Sequence, residues 1–242
     1  MKKLILCEGK FDAILLSYYL CASSGWSTQK AVKGLAISTD ETKNESSYWY
    51  KRGEDDLLIC GVGGKDCFKS FFSEKILDPM TDSSTPFSKI AVITDRDSRR
   101  VSSIRDSFQS IFKPIITSAE NNIWKSNIYT NSFGKQTSVD FLLLVIPHEK
   151  EGALESLLLD AISENAYDKV IVDKSKEYVD SVEPHALRYI QSARLKLKAY
   201  LGVSWAVQYP EKVFLLMNEQ LRSVKWEDSK VLDECFCELK NI

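Results

Sequence analysis

Lys89-Ile90-Ala91-Val92-Ile93-Thr94-Asp95-Arg96-Asp97-Ser98-Arg99-Arg100 is the stretch on which the reading of the fold turns. Ile90 to Ile93 is continuously apolar, with Ile90, Val92 and Ile93 β-branched, the pattern of a strand covered on both faces. Two carboxylates follow at the C-terminal end of that strand. In extended chain, residues i and i+2 point the same way, so Asp95 and Asp97 aim at one point while Arg96 turns aside. Converging carboxylates make a hard-oxygen site suited to a divalent cation such as Mg2+. The structural alternative is a strand-to-helix turn in which Asp97 or Ser98 caps the next helix.

Two similar units precede this strand. Lys3 to Cys7 is a short apolar run that ends at Glu8-Gly9-Lys10-Phe11-Asp12, and Phe11 to Cys21 has helical length and good helix formers. Leu57 to Val62 is a second buried-strand candidate. It is followed by Gly63-Gly64-Lys65-Asp66, a helix from about Cys67 to Leu77, and a polar loop from Pro79 to Pro86. With a helix over Arg99 to Phe112, the order is β-α-β-α-β-α. Right-handed crossovers then give an α/β fold whose mostly parallel sheet carries Glu8, Gly64 and Asp95 on one edge.

Residues 22–56 read as an insertion or long connection with a short strand near Leu35 to Ile37. Further strands are expected at Pro114 to Ser118, Asn122 to Tyr129 and Ser138 to Ile146. A helix then opens at His148 and runs to Ile162. Helices are expected over Tyr167 to Val182, Pro184 to Leu201, Pro210 to Leu221 and Trp226 to Leu239. The chain therefore divides into an α/β domain over 1–165 and a helical C-terminal region over 166–242.

The 242 residues, 44% hydrophobic and 27% charged, suffice for an ordinary buried core. No apolar run approaches the roughly 18 residues of a membrane span. Glu8 interrupts the basic and apolar N-terminus, which argues against a signal peptide. Six cysteines and two histidines, His148 and His185, form no C-x-x-C pair and no zinc-like spacing. Buried free thiols and a cytoplasmic location follow as expectations. A net charge of −2 supplies no general attraction for nucleic acid, so any such contact must come from local patches.

Glu8-Gly9-Lys10-x-Asp12 after one strand, Gly63-Gly64-Lys65 after another and Asp95-x-Asp97 after a third stand in an order that resembles the Toprim domain. That catalytic fold is shared by topoisomerases, bacterial-type primases, small maturation ribonucleases and OLD-family nucleases. The resemblance covers residues 1 to about 165 and leans toward the stand-alone and OLD-like nucleases. Asp12 matches their second acidic residue, and Gly152-Ala153-Leu154-Glu155 resembles their additional L-E glutamate. OLD-like proteins carry a fused ATPase, whereas this sequence has no G-x-x-x-x-G-K-[S/T]. Any ATPase would be a separate subunit, as in paired antiviral defence systems.

The resemblance implies a nuclease that cuts DNA or RNA with Mg2+ or Mn2+, two ions in all, since two metals about 4 Å apart activate water and neutralise the leaving oxygen. It assigns Asp95 and Asp97, with Glu8 or Asp12, to one ion and Glu8 with Glu155 to the other, with Glu8 also open to a general-base or acid role. Five carboxylates brought together would repel strongly without cations. Lys198 is the candidate for the lysine that such nucleases place near the scissile phosphate. Lys10, Lys65 and Arg96, beside the expected active edge, are candidate phosphate contacts. A homo-oligomer is left open. The competing readings are a helix-dipole role for Asp12, a solvated helix face for Glu155 with Glu151 as its neighbour, and solvated surface for the basic residues.

Overall fold

The computed structural model describes residues 1–32, 37–83, 86–212, 221–222 and 224–242. The strands are β1 (Lys2–Cys7), β2 (Ser27–Thr28), β3 (Glu45–Arg52), β4 (Asp55–Val62), β5 (Phe87–Asp95), β6 (Lys125–Thr130) and β7 (Gln136–Ile146). Among the described residues they form a seven-stranded sheet in the order β2-β3-β4-β1-β5-β7-β6. Its centre is parallel: β1 lies between β4 and β5, with Cys7 opposite both Gly61 and Ile93. Antiparallel pairs, β2 with β3, β3 with β4 and β6 with β7, widen it on either side.

The parallel centre is buried on both faces, as the unbroken apolar runs require. Leu4–Cys7, Leu57–Cys60 and Ile90–Ile93 are all buried. One face meets a helical stretch made of α2 (Phe68–Phe71), a π-helical turn (Phe72–Ile76) and α3 (Leu77–Thr81), together with α4 (Val101–Ile111). Here Phe112 binds the layers together: its ring centroid lies 4.4 Å from Phe72 and 5.2 Å from Phe141 of β7. The helix α1 (Lys10–Ser24) packs against β1, β3 and β4.

Several boundaries differ from the sequence reading. The supposed connection over 22–56 contains β3, whose hairpin pairing with β4 runs from Glu45↔Val62 to Arg52↔Asp55. The strand expected at Leu35 to Ile37 lies largely outside the described residues. The Pro79 to Pro86 loop begins later, because Pro79 and buried Met80 belong to α3; the π turn just before them alters the hydrogen-bond ladder where proline has no N–H to give. Residues 114–118 are a turn running into irregular chain instead of a strand, although Ile115 and Ile116 are buried. The apolar pattern there reports burial and not extension.

Compactness divides the chain into one unit of Met1–Thr94, Arg99–Val145 and Cys237–Ile242, and a second of Asp95–Ser98 and Ile146–Phe236. In the second unit α5 (Leu154–Ile162) packs against α6 (Ala166–Val182), α7 (Ala193–Gln208) and α8 (Lys230–Phe236). The expected division at 165 falls inside this unit, because the buried face of α5, Leu157, Leu158, Ala161 and Ile162, belongs with the later helices. The helix expected to open at His148 starts at Leu154. That expected over Pro184 to Leu201 breaks into a short 3-10 turn (Glu183–His185) and α7. Of the Pro210 to Leu221 helix, a 3-10 turn at Pro210–Lys212 is described, and 213–220 lie outside the described residues. No helix among the described residues is long and apolar enough to cross a membrane.

Phe112→Ala should lower the unfolding free energy by about 3–5 kcal/mol, the range for a large-to-small change in a packed core. The urea midpoint should fall with little change in slope.

Candidate functional site

In the first unit the C-terminal ends of β1 and β4 are tied by their turns. Glu8 is 2% exposed, and its carbonyl accepts a hydrogen bond from the Gly64 N–H at 2.7 Å. Its Oε1 accepts one from the Thr94 hydroxyl at 2.8 Å. The approach of the two turns is close enough to require glycine at 61, where an added Cβ would stand 2.7 Å from the backbone of Gly9. Asp12 sits at the third position of α1, where its carboxylate accepts from the Gly9 N–H at 3.1 Å. Asp12 thus helps to close the helix start. Lys10 is exposed at the first helical position and Lys65 is half-buried.

In the second unit the ends of the short Asp95–Ser98 segment are clamped. Asp97 and Gly152 exchange backbone hydrogen bonds at 2.7 and 3.0 Å, and Arg96 N–H donates to the Ile146 carbonyl at 2.7 Å. The Arg96 guanidinium donates to the His148 carbonyl at 3.1 Å. Asp97 has a φ of +51°. The strand period that would aim Asp95 and Asp97 at one point therefore ends at Asp95. Asp95 is 3% exposed and accepts from the Leu154 N–H, the first of α5, at 2.9 Å, so the positive end of that helix faces its charge. Arg194 Nη2 lies 4.0 Å from its other oxygen. Glu155, the next residue of α5, forms an ion pair with Lys198 of α7. Glu151 lies in the loop before α5, not on its face.

A family model matches residues 2–230. The chain belongs to DUF3226, described as a protein of unknown function. This DUF3226 chain is also similar to the crystal structure of the hypothetical protein PH0156 from Pyrococcus horikoshii OT3. The two are 14% identical with a TM-score of 0.46, over 98% of this chain and 99% of that one. No curated protein matches it.

The oxygen donors of this DUF3226 member have the chemistry of a hard-cation site, but their present arrangement does not fit a bound ion. Among the described residues no three His, Cys, Asp or Glu side chains are set together for a metal. Glu155 is closed by Lys198 and Asp12 by the Gly9 N–H. Pairing of Glu155 with Lys198 joins two residues 43 positions apart that the resemblance had both named. Thr94 was not singled out by the sequence, although its position directly before Asp95 was the available signal; Arg194 was marked only as one of a basic group with Lys196 and Lys198.

His148 is half-buried, its Nε2 3.9 Å from the thiol of buried Cys235. Burial holds the imidazole below its ordinary 6.5, with Glu149 pulling weakly upward. A lowered pKa means that, as pH falls below about 6.5, the unfolded chain takes up this proton before the folded one does. Stability from this source should be full above that value and decline through the window beneath it. Denaturant midpoints compared between about pH 7.5 and 5.5 should fall less in His148→Gln than in the parent. Gly152, at φ +148°, would place an added Cβ 2.2 Å from Ser156 Oγ, the atom that accepts from the Ala153 N–H. Gly152→Ala should therefore cost about 1–3 kcal/mol in chemical unfolding.

Proposed function

We propose that this chain is a cytoplasmic, divalent-metal-dependent nuclease that hydrolyses phosphodiester bonds of DNA or RNA, using Mg2+ or Mn2+. The observation that carries the reading is Glu8. It is a carboxylate buried at the end of a parallel strand and hydrogen-bonded to Thr94, the residue that precedes Asp95 in the chain. Burying a carboxylate costs several kcal/mol after relaxation. Buried acids at the carboxyl ends of parallel strands are a recurrent basis for function in α/β folds. The ordered likeness of Glu8, Asp95-x-Asp97 and Leu154-Glu155 to Toprim nucleases supports the same reading.

In this proposal Glu8 and Asp95 are the principal carboxylates, with Asp97, Glu155 and Asp12 as further oxygen donors. Lys198 acts on the scissile phosphate. Lys10, Lys65 and Arg96 steady the flanking backbone. A second reading is favoured by the engagement of Glu155 with Lys198 and of Asp12 with its own helix start. In it, the chain is a Toprim-like effector or regulatory subunit of a defence complex, inactive until a separate ATPase subunit rearranges it.

Purified protein with Mn2+ or Mg2+ should nick plasmid, cut single-stranded DNA or cut tRNA, and EDTA should stop it. Glu8→Gln and Asp95→Asn should each reduce the rate roughly a hundredfold or more while the unfolding midpoint stays near that of the parent. Equal rates in parent and variants would end the nuclease reading.

A further inference from the structure

Among the described residues the sheet ends on β2 at one side and on β6 at the other, and the two edges differ. β2 has two residues, too few to offer a second chain much to pair with. β6 has six, Lys125–Thr130, with no proline and no charge after Lys125, so the usual guards of an edge strand are missing. The hairpin to β7 fixes which of its backbone groups face outward. The Asn131 N–H donates to the Lys135 carbonyl at 3.0 Å, and counting back from that bonded rung, Tyr129 and Asn127 face β7 while Thr130, Ile128 and Ser126 turn N–H and C=O to the open edge. Among the described residues no partner takes those outward groups. The strand is held firmly on its covered face, where Asn127 Oδ1 accepts from the Thr117 and Ser118 N–H groups at 2.9 Å each and the Tyr129 hydroxyl donates to the Met80 carbonyl at 2.8 Å.

We propose that β6 pairs antiparallel with β6 of a second copy of this chain, about a two-fold axis at Ile128, joining the two sheets into one. The open stretch of edge is centred on that residue. Beyond Thr130 the edge is taken, since the Ser132 N–H already donates to the Thr81 carbonyl at 3.2 Å. A two-fold at Ile128 sets this residue on its own copy and Ser126 against Thr130 of the partner subunit. Every outward residue of both copies then finds a rung, whereas a slip of two positions leaves one unpaired on each. The facing side chains suit the register: Ile128, 61% exposed, gains an apolar neighbour, and hydroxyl meets hydroxyl. No cation meets a cation, because Lys125 stands opposite Asn131 of the partner subunit and is paired with its own Glu120 at 2.6 Å. Three rungs of two hydrogen bonds make about six, and at one bond per 100–200 Å² that corresponds to roughly 600–1,200 Å², the low end for specific interfaces. The dimer is therefore weak and concentration-dependent. It stands whether or not the chain cuts nucleic acid.

Sedimentation velocity of the full chain across the micromolar range should show a reversible monomer–dimer equilibrium. Ile128→Lys sets two like charges face to face at the axis and should weaken dimerisation about tenfold or more, with a melting curve like that of the parent because the position is exposed. Ile128→Pro removes an outward N–H while leaving the bonds to β7 in place, and it should weaken dimerisation as well. Cysteines read the register. Ile128→Cys should give a covalent dimer on mild oxidation, whereas the parent and Ser126→Cys should not, since the two copies of position 126 stand roughly 13 Å apart along the strands, beyond the reach of a disulfide. A chain that stays monomeric throughout, or a dimer that Ile128→Lys leaves at parental strength, would overturn the proposal. So would a covalent dimer from Ser126→Cys in place of Ile128→Cys.

Discussion

A strand covered on both faces has no solvent side on which to place a polar group. In β4, β1 and β5 the side chains of Leu57–Cys60, Leu4–Cys7 and Ile90–Ile93 are all buried, and each leucine, isoleucine or valine among them contributes roughly 1.5–3 kcal/mol by leaving water. Polar chemistry is thereby confined to the strand ends. Glu8 and Thr94 stand immediately after the last register pair of β1 and β5, Cys7 with Ile93, and they satisfy one another there. The Gly64 N–H closes the Glu8 carbonyl from the β4 side. Placement of a buried carboxylate at this edge is thus a consequence of how the sheet is covered.

A different device holds the second carboxylate. Asp95 is met by the first N–H of α5 and by Arg194, so its charge is offset by a backbone dipole and a guanidinium instead of a hydroxyl. The geometry depends on Gly152, whose positive φ lets the chain bridge to Asp97 and enter α5 within two residues. Any bulkier residue would collide with Ser156, which caps the same turn.

The parallel strands and the helices between them were legible because apolar runs of strand length and glycine turns are local signals. So was Glu8, which ends the first run, and Asp95, which ends the third. β3 was not legible: Glu45-Ser46-Ser47-Tyr48-Trp49-Tyr50-Lys51-Arg52 buries Glu45 and Ser46 as well as Trp49 and Tyr50, so no clean alternation marks it. Buried Glu45 is matched by an ion pair with Lys75, thirty residues away, which no window on the sequence contains. At Asp97 the backbone takes a left-handed φ that strand periodicity cannot foresee in a non-glycine residue. The Arg194 contact with Asp95 is non-local in the same way as the Glu45 pair.

Cys237–Ile242 belongs to the first unit. There the Trp124 indole donates to the Glu238 carbonyl, Lys89 to that of Asn241 and Arg52 to that of Ile242. The whole of Ile146–Phe236 lies between these residues and the last strand of the sheet. On the ribosome, where chains emerge at roughly 5–20 residues per second, the first unit must wait for the second to be translated before its own last contacts can form. Its maturation therefore depends on residues translated after all of Ile146–Phe236, even though its central strand β1 precedes that segment in the chain.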